Sequence, residues 1–167
     1  NQHGLMPFVY IGSPDAISAA DRDLPMHVID AQTYVSVGRI EKDDALTVID
    51  VHTPTPITPG VITPSNGHSV INAIDCAVSL ALENHISAIV TAPIHKAALY
   101  NAGFDAPGHT EYLARRCGMD DDQSIMMLTA QDLRVVPVTV HIPLKDVHKH
   151  LTAGKIIHAG LVTAHDL

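Results

Sequence analysis

Residues 66–103 read NGHSVINAIDCAVSLALENHISAIVTAPIHKAALYNAG, and this stretch decides the fold class. Val70, Ile71, Ile74, Ala77, Val78, Ala81 and Leu82 recur at the helical period and make one apolar face. Ser65 or Asn66 is placed to cap the start of that helix. Ser87-Ala88-Ile89-Val90-Thr91-Ala92 follows as a short apolar run, which predicts a buried strand stopped by Pro93. A second helix is expected from Ile94 to Asn101, with Gly103 closing its C-terminal end. Strands alternating with helices from here onward predict an α/β domain around a mostly parallel or mixed sheet.

Upstream, residues 7–12, 26–30 and 46–50 read as three β-type runs. No clear helix separates them, although Pro14 suits the first turn of a short one within residues 13–23. Pro54, Pro56, Pro59 and Pro64 then remove backbone donors and favour extended chain across a long loop, residues 51–65. The first 65 residues are thus strand-rich with a proline-rich loop, and residues 66–167 form the α/β segment that carries the chemical motifs. Downstream, a helix is expected after Gly108-His109-Thr110-Glu111, running through Tyr112 to Arg116 and stopping near Gly118. Two strand runs, 124–129 and 133–142, flank a tight turn at Ala130-Gln131-Asp132, with Pro137 marking an edge or a bulge. One closing helix starts at Pro143 and another after Thr152.

The 167 residues suit one domain at about 150 residues per domain. Ten Lys and Arg against eighteen Asp and Glu leave a formal charge of −8, with no basic run, which argues against nucleic-acid binding. The apolar fraction of 46% argues against disorder. Cys76 and Cys117 show no CxxC pattern and read as reduced thiols of a cytoplasmic protein. The longest uncharged stretch, Val51 to Ile74, is broken by four prolines, so no membrane span is expected. The opening residues lack the basic and apolar regions of a signal peptide.

Three places carry chemistry. Thr91-Ala92-Pro93-Ile94-His95-Lys96 joins a strand end to a helix start, where ligands bind in open α/β sheets. Free amides there attract anions, and Lys96 suits a phosphate or carboxylate, unless it is a solvated surface lysine. Pro107-Gly108-His109-Thr110-Glu111 sets a ring nitrogen and a hydroxyl at a helix start, or else is a helix capped by Thr110. His141, in Val140-His141-Ile142-Pro143-Leu144-Lys145-Asp146, ends an apolar run and is either a satisfied histidine or a metal ligand needing about two partners. Twelve histidines are scattered without HExxH spacing. No GxGxxG, GxxxxGK[ST] or GxSxG occurs.

In this order, Ile89 through Lys96, Ala102-Gly103, Gly108-His109-Thr110-Glu111, Met126-Met127-Leu128 and His141 through Asp146 resemble the 4-hydroxythreonine-4-phosphate dehydrogenases. Asn66-Gly67 ahead of the long helix also fits. The likeness is dense from residue 61 to 167 and loose before it. It implies an isocitrate/isopropylmalate-dehydrogenase-like fold and oxidation of 4-(phosphooxy)-threonine by NAD or NADP, with a divalent metal (Zn, Mg or Co). Loss of CO₂ follows, within pyridoxal 5′-phosphate synthesis. A homodimer sharing its active site, a small phosphorylated hydroxy-acid substrate and a cytoplasmic location are implied too. Carried onto this sequence, His109 and Thr110 match the substrate-contacting pair and His141 the first metal-ligating histidine. Lys96 lies in a matched motif with its role open. Family members are longer, so residues 1–167 are expected to be the central portion of a dehydrogenase and inactive alone. A paralogue acting on threonate or erythronate phosphate, or on a dihydrodiol carboxylate, carries the same motifs. A non-catalytic ligand-binding remnant and a plain metal-binding protein are the alternatives from other classes.

Overall fold

The structure is a computed structural model, and it describes residues 6–38, 44–120 and 123–167. The chain divides into two compact units, Asn1–Gly108 and His109–Leu167.

The first unit is built on three parallel strands, β1 (Tyr10–Gly12), β2 (Met26–Ile29) and β3 (Leu46–Asp50), in the order β1-β3-β2. Register pairs Ile11 with Ile49 and Val28 with Val48. β3 is central, and its Thr47, Val48 and Ile49 are each no more than 1% exposed. Burial of three successive residues means that both faces of β3 are covered. Helix α1 (Pro14–Ala20) follows β1, with Pro14 in its first turn as expected.

A second helix, α2 (Ala31–Val37), separates β2 from β3, where none was expected. Its apolar period is too short to read, but its ends are marked. Asp30 accepts a hydrogen bond from the Thr33 amide at 2.7 Å, and Gly38 closes the other end at φ +71°. That amide holds the Asp30 carboxyl below its ordinary value. A lowered folded value means that the cap strengthens α2 above the ordinary carboxylate range. The contribution is lost as pH falls through the folded value. An NMR titration of Asp30 is expected to give a midpoint below 3.8, and one at or above it overturns the cap.

Helix α3 (Gly67–Leu82) is the expected long helix, but its buried face is turned. Ile74, Ala77, Val78 and Leu80 are buried, whereas Val70 and Leu82 are 40% and 59% exposed. Leu80 joins Tyr34 and Ile49 in the core, with the half-buried Cys76 packed against them. Burial in this core pushes the Cys76 thiol up, toward the inert neutral form. Both cysteines are free thiols.

The proline-rich stretch is a loop, ended by a 3-10 turn over Pro64–Asn66. Residues 87–92 do not form the predicted strand, and Val90 is 97% exposed. Apolar β-branched sequence makes a strand only where a neighbour supplies the ladder, and no described residue pairs with this run. Helix α4 (Lys96–Asn101) follows, with Leu99 buried and Gly103 at φ +83°.

The second unit opens with α5 (His109–Arg116), which carries Glu111 in its first turn and Arg115 and Arg116 in its last, matching the helix dipole. The two predicted strand runs shrink to a short antiparallel hairpin, β4 (Leu128–Ala130) and β5 (Leu133–Val135). Its turn is where the sequence places it, with Gln131 at φ +52°. Pairing stops at Val135 because Pro137 has no donor and constrains Val136. A 3-10 turn (Leu144–Asp146) leads into α6 (Val147–His150), and α7 (Ala153–Asp166) closes the described chain. Thr152 caps α7 through the Lys155 amide at 3.3 Å. Among the described residues no helix is long and apolar enough to cross a membrane.

Candidate functional site

In the first unit the chemistry gathers at the start of α3. Neither Ser65 nor Asn66 caps that helix with its side chain. The Asn66 carboxamide turns instead to the proline-rich loop. It accepts from the Thr55 amide at 3.1 Å and donates to the Thr55 carbonyl at 2.9 Å. Ser65 and Thr55 hydroxyls meet at 2.7 Å, and the buried Ser69 hydroxyl donates to the His52 carbonyl at 2.6 Å. Ser13, at the end of β1, meets Thr53 at 3.3 Å.

α4 lies against the same turn. A Cβ on Gly67 would sit 2.8 Å from the Ala102 Cβ and 2.9 Å from the Ala98 carbonyl, so only glycine allows this approach. Lys96 is the first residue of α4 and is exposed. The anion reading for free amides at this helix start is corrected at one of them. The Ala98 amide is taken by His95, which receives it through Nδ1 at 3.3 Å and its carbonyl at 3.1 Å. The Lys96 ammonium remains exposed beside it.

In the second unit His109 opens α5 and is half-buried, with exposed Thr110 after it. Thr110 lies inside the helix and is not its capping residue. The pair therefore presents an imidazole and a hydroxyl on successive positions of one helical turn, beside the half-buried Glu111. His141 is exposed and holds φ +56°, a left-handed backbone that few residues other than glycine adopt. Such strain persists where the surroundings impose it, often at functional positions.

Among the described residues no three His, Cys, Asp or Glu side chains come together to hold a metal ion. His141 supplies one imidazole, and His148, His150, His158 and His165 do not complete a set with it. The residues present thus do not by themselves fit a divalent ion. The sequence reading did not single out an apolar groove of about 380 Å³ in this unit, lined by Arg134, Val136, Val138, Ile156, Ala159 and Thr163 among others. Its signal was the alternation of Val136 with Val138 facing the apolar stripe of α7.

The family model described as "Pyridoxal phosphate biosynthetic protein PdxA" matches residues 5–167. A 4-hydroxythreonine-4-phosphate dehydrogenase of Zymomonas mobilis is 40% identical over 163 residues, covering 98% of this chain and 48% of its own. One from Caulobacter vibrioides is 44% identical over 164 residues, covering 96% of this chain and 48% of its own. The crystal structure of the Klebsiella pneumoniae 4-hydroxythreonine-4-phosphate dehydrogenase superposes with a TM-score of 0.79 at 28% identity, over 95% of this chain and 48% of that one. The chain spans about half the length of the curated relatives it matches. On a match that runs nearly end to end, with relatives at 40% identity and above, the chain belongs to the PdxA family of pyridoxal phosphate biosynthetic proteins.

Proposed function

We propose that this chain is the central portion, residues 1–167, of an NAD- or NADP-dependent dehydrogenase. It oxidises 4-(phosphooxy)-threonine with loss of CO₂, in pyridoxal 5′-phosphate biosynthesis. The observation that carries this reading is the 40% identity to a 4-hydroxythreonine-4-phosphate dehydrogenase across nearly the whole of this chain. The complete fold is of the isocitrate/isopropylmalate-dehydrogenase type, and the enzyme is a cytoplasmic homodimer with a shared active site.

The secondary alcohol gives its C–H hydride to the nicotinamide and its O–H proton to a base or to solvent. The resulting 3-keto acid loses CO₂, and the carbon left behind is reprotonated. His109 and Thr110 hold the substrate, the imidazole and hydroxyl together fixing its orientation at the start of α5. Orientation of this kind contributes through proximity. A divalent ion (Zn, Mg or Co) belongs to this reading, with His141 as one ligand and the others outside the described residues.

The test is turnover by the full-length protein with 4-(phosphooxy)-threonine and either nicotinamide. Equal amounts of reduced nicotinamide and CO₂ are expected. Absence of turnover on this substrate, with turnover on threonate or erythronate phosphate, overturns the assignment.

A further inference from the structure

We infer that Asn66 and Gly67 couple the proline-rich loop to α4, so that the placement of His95 and Lys96 depends on how that loop is held. Two sets of contacts converge on one helical turn. On one side, residues 65–69 bind the loop through the Asn66 carboxamide, the Ser65 hydroxyl and the Ser69 hydroxyl. The Asn66 and Ser69 bonds reach backbone groups of Thr55 and His52, so they fix the course of the loop itself. On the other side, the missing side chain of Gly67 lets Ala98 of α4 and Ala102, just past its end, close on the same turn.

The clamp is specific to an amide. Asn66 offers one acceptor to the Thr55 amide and one donor to its carbonyl. Aspartate keeps the first and sets a carboxylate oxygen against a carbonyl in place of the second. Beyond the clamp, the loop's outer bend is exposed, with Gly60 at φ +77° and Val61 and Ile62 at 61% and 55% exposure. The loop is thus tied at its base and open at its tip. A contact made at the tip is transmitted through Thr55 and Asn66 to the turn on which α4 rests. Coupling between two places is reciprocal, so it must be visible from both ends.

The test is native-state amide hydrogen exchange on the full-length protein, with variants made from each side. Asn66→Asp is expected to speed exchange of the Thr55 amide, of the Leu99 amide in α4 and of the Ala102 amide at its C-terminal cap by about tenfold. Gly67→Ala, which disturbs α4, is expected to speed the Thr55 amide by a comparable factor. The β3 amides are expected to keep their rates in both. A change confined to the mutated side overturns the coupling. So does an equal acceleration of β3, which marks global destabilisation. Should Asn66→Asp not fold, Thr55→Val removes only the hydroxyl bond to Ser65. It is expected to speed the α4 amides by about threefold, and unchanged α4 rates there overturn the proposal as well.

Discussion

Ile49→Ala is expected to remove about 2–5 kcal/mol of stability, the largest loss from any single truncation in the first unit. Ile49 is 1% exposed in the central strand, with β1 on one edge and β2 on the other. Its side chain packs with Tyr34 and Leu80, and Ile11, Ile29 and Cys76 close around that cluster. Elements from both sides of the sequence meet at this one residue, so little can move in to fill the space. A native domain has roughly 5–15 kcal/mol in total, so this one change takes a large share. Urea unfolding checks it. Val28→Ala, on the neighbouring strand and 47% exposed, serves as the comparison and is expected to cost under about 1 kcal/mol. A loss below about 1 kcal/mol at Ile49 would place the core elsewhere.

The second large effect is expected at His141, in the full-length protein. His141→Ala and His141→Gly both remove the imidazole, and both are expected to lower turnover at least about a hundredfold, along with the bound divalent ion. Their stabilities are expected to differ. The backbone at His141 sits at φ +56°, which penalises any side chain with a Cβ and spares glycine. The glycine variant is therefore expected to be the more stable of the two by about 1 kcal/mol. Metal content, turnover and melting temperature of the pair check this together. Retained metal and turnover in either variant removes His141 from the ligand set. Equal stability of the two variants contradicts the strained backbone.

The elements that are legible in the sequence are those whose signal is local. β1, β2, β3 and α3 follow from short apolar runs and from the helical period of residues 70–82. The turn at Gln131 follows from its setting between two apolar runs. The face of α3 is misjudged because two different neighbours cover it. Gly67 is buried by α4, and Leu80 by Tyr34 and Ile49. A single-stripe reading allows for one neighbour only. α2 is missed because Asp30 reads as the end of a strand, although Asp30 with Thr33 and Gly38 marks both helix ends. Residues 87–92 are over-read because pairing depends on chain far away in sequence.

The site shows the same division. His109, Thr110 and His141 are singled out by the family resemblance alone, and spacing leaves each open. The clamp made by Asn66 could not be seen, because an asparagine before a helix reads first as a cap. Only the positions of Thr55 and the loop reveal its other use.

The strand order β1-β3-β2 has a consequence for the growing chain. Among the described residues β1 and β2 do not pair with each other, and each pairs with β3, the last of the three to be synthesised. Tyr10 waits for Val48, and Met26 waits for Leu46. Neither strand can make these ladder bonds until residues 46–50 have been synthesised. Loop closure over this span must precede the ladder bonds that reward it. β3 then takes its place between two strands already made. Until then the apolar residues that β3 covers are open to wrong partners.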